Sequence, residues 1–390
     1  MKRIRLGLLP KVIIAIAVAI ACSTFFPDFL NRIFVTVNVL IGNFINFIIP
    51  LIIVGLIVPG IAEIGSGAGR LLGMTVAIAY ISTLIAGFFS YFTCDAVYPY
   101  ILETGSAFGE YGDISSNAIK PYFTVEMPPV MDVTAALIIS FVLGLGIVAL
   151  KGNALRHAFS EFGEMITVII TKVIVPVLPL YIFTIFLKIG AEGQVGVILG
   201  MFIKVILLIF VMHILMLLFQ FAVAGLISRK NPFKALYTML PAYMTALGTQ
   251  SSAATIPVTL AQAKKNGINE DIAGFVIPLC ATIHLSGSIL KIVACAVAIM
   301  WAGGIGYSLE LYAGFICMLG ITMVAAPGVP GGAIMASLGL LSSMLGFDET
   351  LQGLMIALYI TMDSFGTAGN VTGDGAIAMI IDKIYKRRTE

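Results

Sequence analysis

Charge is the first scarcity in this chain. Asp, Glu, Lys and Arg make up 11% of 390 residues, against about 25% in a soluble domain, so too few remain to cover a water-facing surface. The net charge of +2 excludes a basic face for nucleic acid. Histidine numbers three (His157, His213, His284), and nothing in the sequence fixes any of them beside a nucleophile. The five cysteines (Cys22, Cys94, Cys280, Cys295, Cys317) are odd in number, lack metal-ligand spacing and mostly fall in apolar segments, so they read as packing residues.

What is abundant is apolar. Hydrophobic residues reach 59% and the mean hydropathy is +1.07, which defines a polytopic helical membrane protein. Windows of roughly 20 apolar residues predict helices near 8–26, 33–59, 71–102, 131–150, 160–188 and 195–228. The first run follows Met-Lys-Arg-Ile-Arg as a signal peptide would, but no small-residue cleavage site follows, so a retained helix is expected. Lys2, Arg3, Arg5 and Lys11 place the N-terminus in the cytoplasm, and Arg70, Lys151 with Arg156, and Arg229 with Lys230 then fall inside after two, four and six crossings. The acidic stretch from Glu103 to Glu126 falls outside.

Beyond residue 230 the pattern breaks. The segment from Pro232 to Gln262 has Lys234 at one end and Lys264 and Lys265 at the other, and its polar centre runs Thr245-Ala-Leu-Gly-Thr-Gln-Ser-Ser-Ala-Ala-Thr-Ile-Pro257. That predicts a re-entrant hairpin. A full helix is expected from Ile272 to Ala302. A second hairpin is expected from Leu311 to Phe347, broken at Ala325-Ala-Pro-Gly-Val-Pro-Gly-Gly332. A final helix from Leu351 to Ile381 ends at Lys383, Lys386, Arg387 and Arg388, which puts both termini inside. Hairpin then helix therefore occurs twice with opposite orientation, and His284-Leu-Ser-Gly-Ser288 echoes Asn370-Val-Thr-Gly-Asp374. Inverted repeats of this kind place a transport site at their interface.

The final helix carries Asp363 and Asp374 in its interior. A carboxylate at that depth costs at least about 2.5 kcal/mol unpartnered, so each is expected to bind something. Glycines 366, 369 and 373 are expected to weaken the helix and turn carbonyls toward a ligand. Asp374 reads as a Na⁺ ligand with Asn370 and Gly373, or else as the partner of a buried Lys, for which Lys291 is the candidate. On a regular helix Asp363 would lie on the same face about 16 Å away, free to hold an ammonium. Ser251 and Ser252 can receive a carboxylate at a half-helix N-terminus, or only break the helix. Gly328 and Val329 in the second hairpin offer backbone suited to a gate. Thr367 and Ser288 add hydroxyls.

From Gly248 to Lys383 the order of Ser-Ser-Ala-Ala-Thr-Ile-Pro hairpin, Gly-containing helix, Ala-Pro-Gly-Val-Pro-Gly hairpin and Asp…Thr…Asn-Val-Thr-Gly-Asp helix resembles the dicarboxylate/amino acid:cation symporter family, the glutamate-transporter fold. The resemblance implies an all-α membrane protein of eight transmembrane helices plus two re-entrant helical hairpins. It also implies an elevator-type Na⁺-coupled carrier, a homotrimer in the cytoplasmic membrane. Its scaffold would span about 8–59 and 131–188, and its moving domain about 71–102 and 195–383. Asp363 resembles the residue that binds the substrate ammonium, beside Thr367; Asn370 resembles the partner of the substrate carboxylate, helped by Ser251 and Ser252, with Gly328 and Val329 closing over it and Ser288 among the substrate-binding residues. Asp374 and Asn370 resemble sodium ligands. Met323, Val324 and Ala326 with Thr282 would form a second sodium site, and Cys280 and His284 join the ion-binding set.

Three departures refine this. Members that carry acidic amino acids have an Arg where this chain has Gly366, and the local pattern is nearer that of bacterial serine/threonine symporters, so a small neutral amino acid is expected. The family's Asn-Met-Asp-Gly-Thr stands here as His284-Leu-Ser286-Gly-Ser288, which removes an anionic sodium ligand and brings in a titratable ring. Lys291 lies on the same helical face as Ser288 and His284, where it could stand in for a sodium or read a substrate anion. An intramembrane aspartyl protease is disfavoured because Asp363 and Asp374 are too far apart to share a proton. A channel would use equivalent elements from several subunits rather than two unlike hairpins in one chain.

Overall fold

The computed structural model describes residues 7–66, 70–105, 120–150, 152–191, 193 and 195–386. Lys2, Arg3, Arg5, Lys151, Arg387, Arg388 and most of the acidic stretch after Glu103 lie outside the described residues, so part of the charge pattern behind the expected orientation does too. Among the described residues the secondary structure is helical, without a strand.

The early helices follow the apolar runs. They are α1 (Leu8–Ser23), α2 (Asp28–Ser66), α3 (Arg70–Ile101), α4 (Val133–Ala149), α5 (Ala154–Ile169), α6 (Val175–Ala191) and α7 (Val195–Ser228). A π-turn over Ile170–Ile174 joins α5 to α6, just before Pro176 and Pro179, which have no N–H to donate to the preceding turn. Helix α5 starts six residues earlier than expected because its first turns mix His157, Ser160 and Glu161 with apolar residues, and a hydropathy window passes over such a stretch. Among the described residues, five spans are long and apolar enough to cross a membrane: Asp28–Ala62, Arg70–Ile101, Ala154–Ala191, Val195–Ser228 and Glu270–Ala302.

Both expected hairpins form as helix pairs. The first is α8 (Pro232–Thr249) and α9 (Ser252–Lys265), packed on each other. The Asn231 side chain caps α8 by accepting from Lys234 N–H, Gln250 ends it in the left-handed region, and Ser251 caps α9 by accepting from Ala254 N–H. The second is α12 (Leu309–Ala325) and α13 (Gly332–Leu345), joined through Pro327 and Pro330 and through Gly331 at φ 75°.

The two helices expected to be continuous are each broken. Ile272–Ala302 is α10 (Glu270–Ile283) and α11 (Ser286–Ala302), separated at His284 and Leu285. The last helix is α14 (Glu349–Thr361) and α15 (Asp363–Lys386), separated at Met362. The glycines at 366, 369 and 373 therefore do not interrupt the helix, contrary to expectation: α15 runs through all three. They permit close approach instead. A Cβ at Gly366 would stand 2.7 Å from Lys291 Nζ, and one at Gly373 2.7 Å from Gln220 Oε1. The motif echo is likewise not structural, since His284–Ser288 spans a helix break and Asn370–Asp374 lies within a helix.

Helix α11 sits at the centre, buried along nearly its whole length against α3, α7, α14 and α15, as an element apolar all round must be. Helix α2 lies outside this group, packed on α4, α5 and α6.

Candidate functional site

The site forms where the breaks of α11 and α15 meet the two hairpin tips. Breaking α11 at Leu285 leaves Gly287 N–H without a helical partner and Ser288 N–H with Leu285 O alone, at 3.1 Å. Asn370 supplies an acceptor from α15: its Oδ1 accepts from Gly287 N–H at 2.7 Å and Ser288 N–H at 3.2 Å, while its Nδ2 donates to Ser288 Oγ at 3.1 Å. Tyr359 OH also donates to Ser288 Oγ at 3.3 Å. Asn370, expected at the substrate carboxylate, and Ser288, expected as a substrate-site hydroxyl, are thus brought together and bonded to each other.

Asp363 opens α15, buried, with both carboxylate oxygens engaged. Lys291 Nζ donates to Oδ1 at 2.7 Å, and Gly331 N–H of the second hairpin donates to Oδ2 at 2.8 Å. Lys291 was weighed in the sequence as the partner of Asp374; the structure pairs it with Asp363. The reason is position: the lysine projects into the space that the absent side chain of Gly366 leaves, with Nζ 3.5 Å from the centre of the Tyr359 ring. The other lysine deep in an apolar helix, Lys204, donates to Ile101 O at 2.7 Å.

Asp374 meets His284 instead, Oδ1 to Nδ1 at 2.9 Å. His284 Nε2 lies 3.0 Å from Ser82 Oγ, and Gln220 Nε2 donates to the hydroxyls of Ser82 and Ser286, each at 3.1 Å. A neutral ring fits this arrangement, with Nδ1–H donating to the carboxylate and Nε2 accepting from the Ser82 hydroxyl. Asp374 Oδ2, Gln220 Oε1 and Thr372 Oγ1 remain buried without a hydrogen-bond partner. A small hard cation takes oxygen ligands of this kind, and burial makes an unpaired carboxylate oxygen costly without one.

The hairpin tips touch: Ser251 Oγ donates to Gly328 O at 2.9 Å, and Gln250 Nε2 donates to Ser364 Oγ at 2.9 Å. Ser252 is buried as the first residue of α9, Thr367 lies one turn after Asp363, and Val329 lies in the turn that leads to Gly331. Of the residues expected at a second sodium, Thr282, Val324 and Ala326 line one cleft of about 800 Å³ with Gly328, between α2, α5 and the second hairpin. Met323 is buried nearby, and the Cys280 carbonyl accepts from His284 N–H at 2.9 Å within the helix turn.

Sequence reasoning missed Ser82, Gln220, Tyr359 and His213, whose Nε2 lies 2.9 Å from Gly287 O. One signal was present. His213 and Gln220 are polar residues seven apart, hence on one face, in a stretch of α7 that is otherwise apolar between Lys204 and Ser228.

A family model described as the sodium:dicarboxylate symporter family matches residues 8–384. The chain is 24% identical over 392 residues to the serine/threonine transporter SstT of Acinetobacter baumannii (strain AYE), covering 97% of both. It is 31% identical over 290 residues to excitatory amino acid transporter 3 of Mus musculus and 30% identical to that of Homo sapiens. Each match covers 71% of this chain and about half of the relative's length, 54% and 53%.

Proposed function

The chain belongs to the sodium:dicarboxylate symporter family, and from that premise we propose that it couples Na⁺ entry to uptake of a small neutral amino acid of serine, threonine or alanine size. It is a transporter and not an enzyme. The observation that carries the substrate class is the Asp363–Lys291 ion pair. That pair is neutral, and a zwitterion added to it leaves the buried site neutral; an acidic amino acid or a dicarboxylate adds net negative charge that a buried site tolerates poorly. Asp374 beside a neutral His284 keeps one negative charge and an unpartnered oxygen, which suits one Na⁺. A second ion at Thr282, Met323, Val324 and Ala326 belongs to the same reading.

In this reading residues 8–59 and 131–188 form the scaffold and 71–102 with 195–383 the moving domain of an elevator carrier. Eight helices cross the bilayer, two hairpins dip into it, and the chain works as a homotrimer in a cytoplasmic membrane with both termini inside. The hairpin tips meeting over Asp363 support this arrangement, because they cover a site that must open to one side.

Lys291 favours a rival, since its ammonium fills the space that a side chain at Gly366 would enter, where it could receive a second carboxylate. Uptake into proteoliposomes separates the two. Saturable, Na⁺-gradient-driven uptake of serine, threonine or alanine over aspartate, glutamate and succinate is expected. Preference for succinate would overturn the neutral amino acid, and ohmic current without substrate would overturn symport altogether.

A further inference from the structure

Resting on the neutral amino acid reading above, we propose that the substrate binds by ion-pair exchange: its ammonium replaces Lys291 on Asp363, and its carboxylate takes the Lys291 ammonium so released. Lys291 is then a specificity-determining residue, and Gly366 is what makes room for it.

Four observations carry this. Lys291 is fully buried and Asp363 is 4% exposed, so neither ion has water to fall back on when its partner leaves. A substrate ammonium added to Asp363 with Lys291 still in place would leave two cations on one carboxylate. The lysine must turn to another anion, and a neutral amino acid brings one, its carboxylate.

The lysine is also held in place during such an exchange. Its Nζ lies 3.5 Å from the centre of the Tyr359 ring, an attraction that needs no carboxylate and is strongest when desolvated. A Cβ at Gly366 would stand 2.7, 2.8 and 3.1 Å from Nζ, Cε and Cδ of Lys291, so only glycine leaves the end of the lysine where it is.

The alternative carboxylate partner is the weaker one. Asn370 caps the first turn of α11 through Oδ1 and gives one of its two Nδ2 hydrogens to Ser288 Oγ. It can therefore add one neutral N–H to a substrate carboxylate, whereas the released Lys291 offers a charged donor and itself needs the anion. Finally, Gly331 N–H bonds the same carboxylate, so lifting the second hairpin frees Asp363 from its backbone partner at the moment the pair opens.

The test separates the two halves of the zwitterion. Dissociation constants for L-alanine, L-alaninamide (ammonium only) and L-lactate (carboxylate only) are measured on the purified full chain in NaCl, by thermal stabilisation and calorimetry. For wild type, both half-ligands are expected to bind roughly tenfold or more weaker than alanine, because each leaves one buried ion unpaired. In Lys291→Met the site becomes anionic and alaninamide is expected to overtake alanine; in Asp363→Asn it becomes cationic and lactate is expected to overtake it. If either folded variant weakens all three ligands in proportion, Lys291 only packs and the exchange is wrong, while wild-type alanine binding keeps the amino acid reading. Equal wild-type affinity for alanine and lactate overturns the exchange without any variant. A wild type that binds no neutral amino acid overturns both.

Discussion

Gly366 and Lys291 form one unit although 75 positions separate them. In Gly366→Ala the added methyl meets the lysine ammonium and stem, an overpacking expected to cost about 1–3 kcal/mol. Thermal unfolding of the single variants and of Gly366→Ala with Lys291→Ala checks it: the double variant is expected to recover most of that loss, a coupling of roughly 0.5 kcal/mol or more. Asn370→Ala leaves the buried Gly287 N–H of α11 without an acceptor, while Ser288 N–H keeps Leu285 O, expected to cost about 1–3 kcal/mol, and Asn370→Asp, which keeps the oxygen, is expected to lose less. Asp363 and Asp374 were legible in the sequence because a charge in an apolar run stands out. Their partners were not: helical spacing says which face a residue shares, but not which neighbouring helix brings Lys291 or His284 to it. Ser82 was illegible for a related reason, since one hydroxyl in α3 carries no energetic signal until its neighbours are known.

At the scale of elements, the hairpins could be read because proline, glycine and serine cluster at their tips and lysines flank the first. The breaks at His284–Leu285 and Met362 could not, because nothing in Ile-His-Leu-Ser or Thr-Met-Asp-Ser stops a helix by propensity alone. They are stabilised from outside, by Asn370 on α11 and by Lys291 and Gly331 on the first residue of α15. Gly331 sits at φ 75°, where a side chain costs about 1–2 kcal/mol. Gly331→Ala is therefore expected to loosen the second hairpin, read as faster hydrogen exchange at the amides of Gly328, Val329, residue 331 and Gly332 with the exchange of α11 unchanged. Equal protection in the two proteins would show that the tip is held by its neighbours and not by this turn.

For the molecule as a whole, the face between α2 and the second hairpin is narrow. A Cβ at Gly60 would stand 3.1 Å from Ala325 Cβ, and the cleft of about 800 Å³ opens beside it. If the hairpin slides along α2 during transport, Gly60→Leu obstructs the stroke and leaves the ion pairs alone. Uptake is then expected to fall roughly tenfold or more, since domain movement sets many turnover rates, while alanine binding to purified protein changes little. Equal loss of both would place Gly60 in the folded core rather than at a moving surface. The paired acid and lysine have an electrical corollary. With Asp363 neutralised by its own chain, crossing without substrate moves no charge at that site, so voltage acts there on neither leg of the cycle. Voltage dependence then resides at the proposed ion positions, Asp374 and the second one at Thr282, Met323, Val324 and Ala326, where each uncompensated charge crossing the membrane feels about 2.3 kcal/mol per 100 mV, and pre-steady-state currents should appear with Na⁺ alone and shrink in Asp374→Asn.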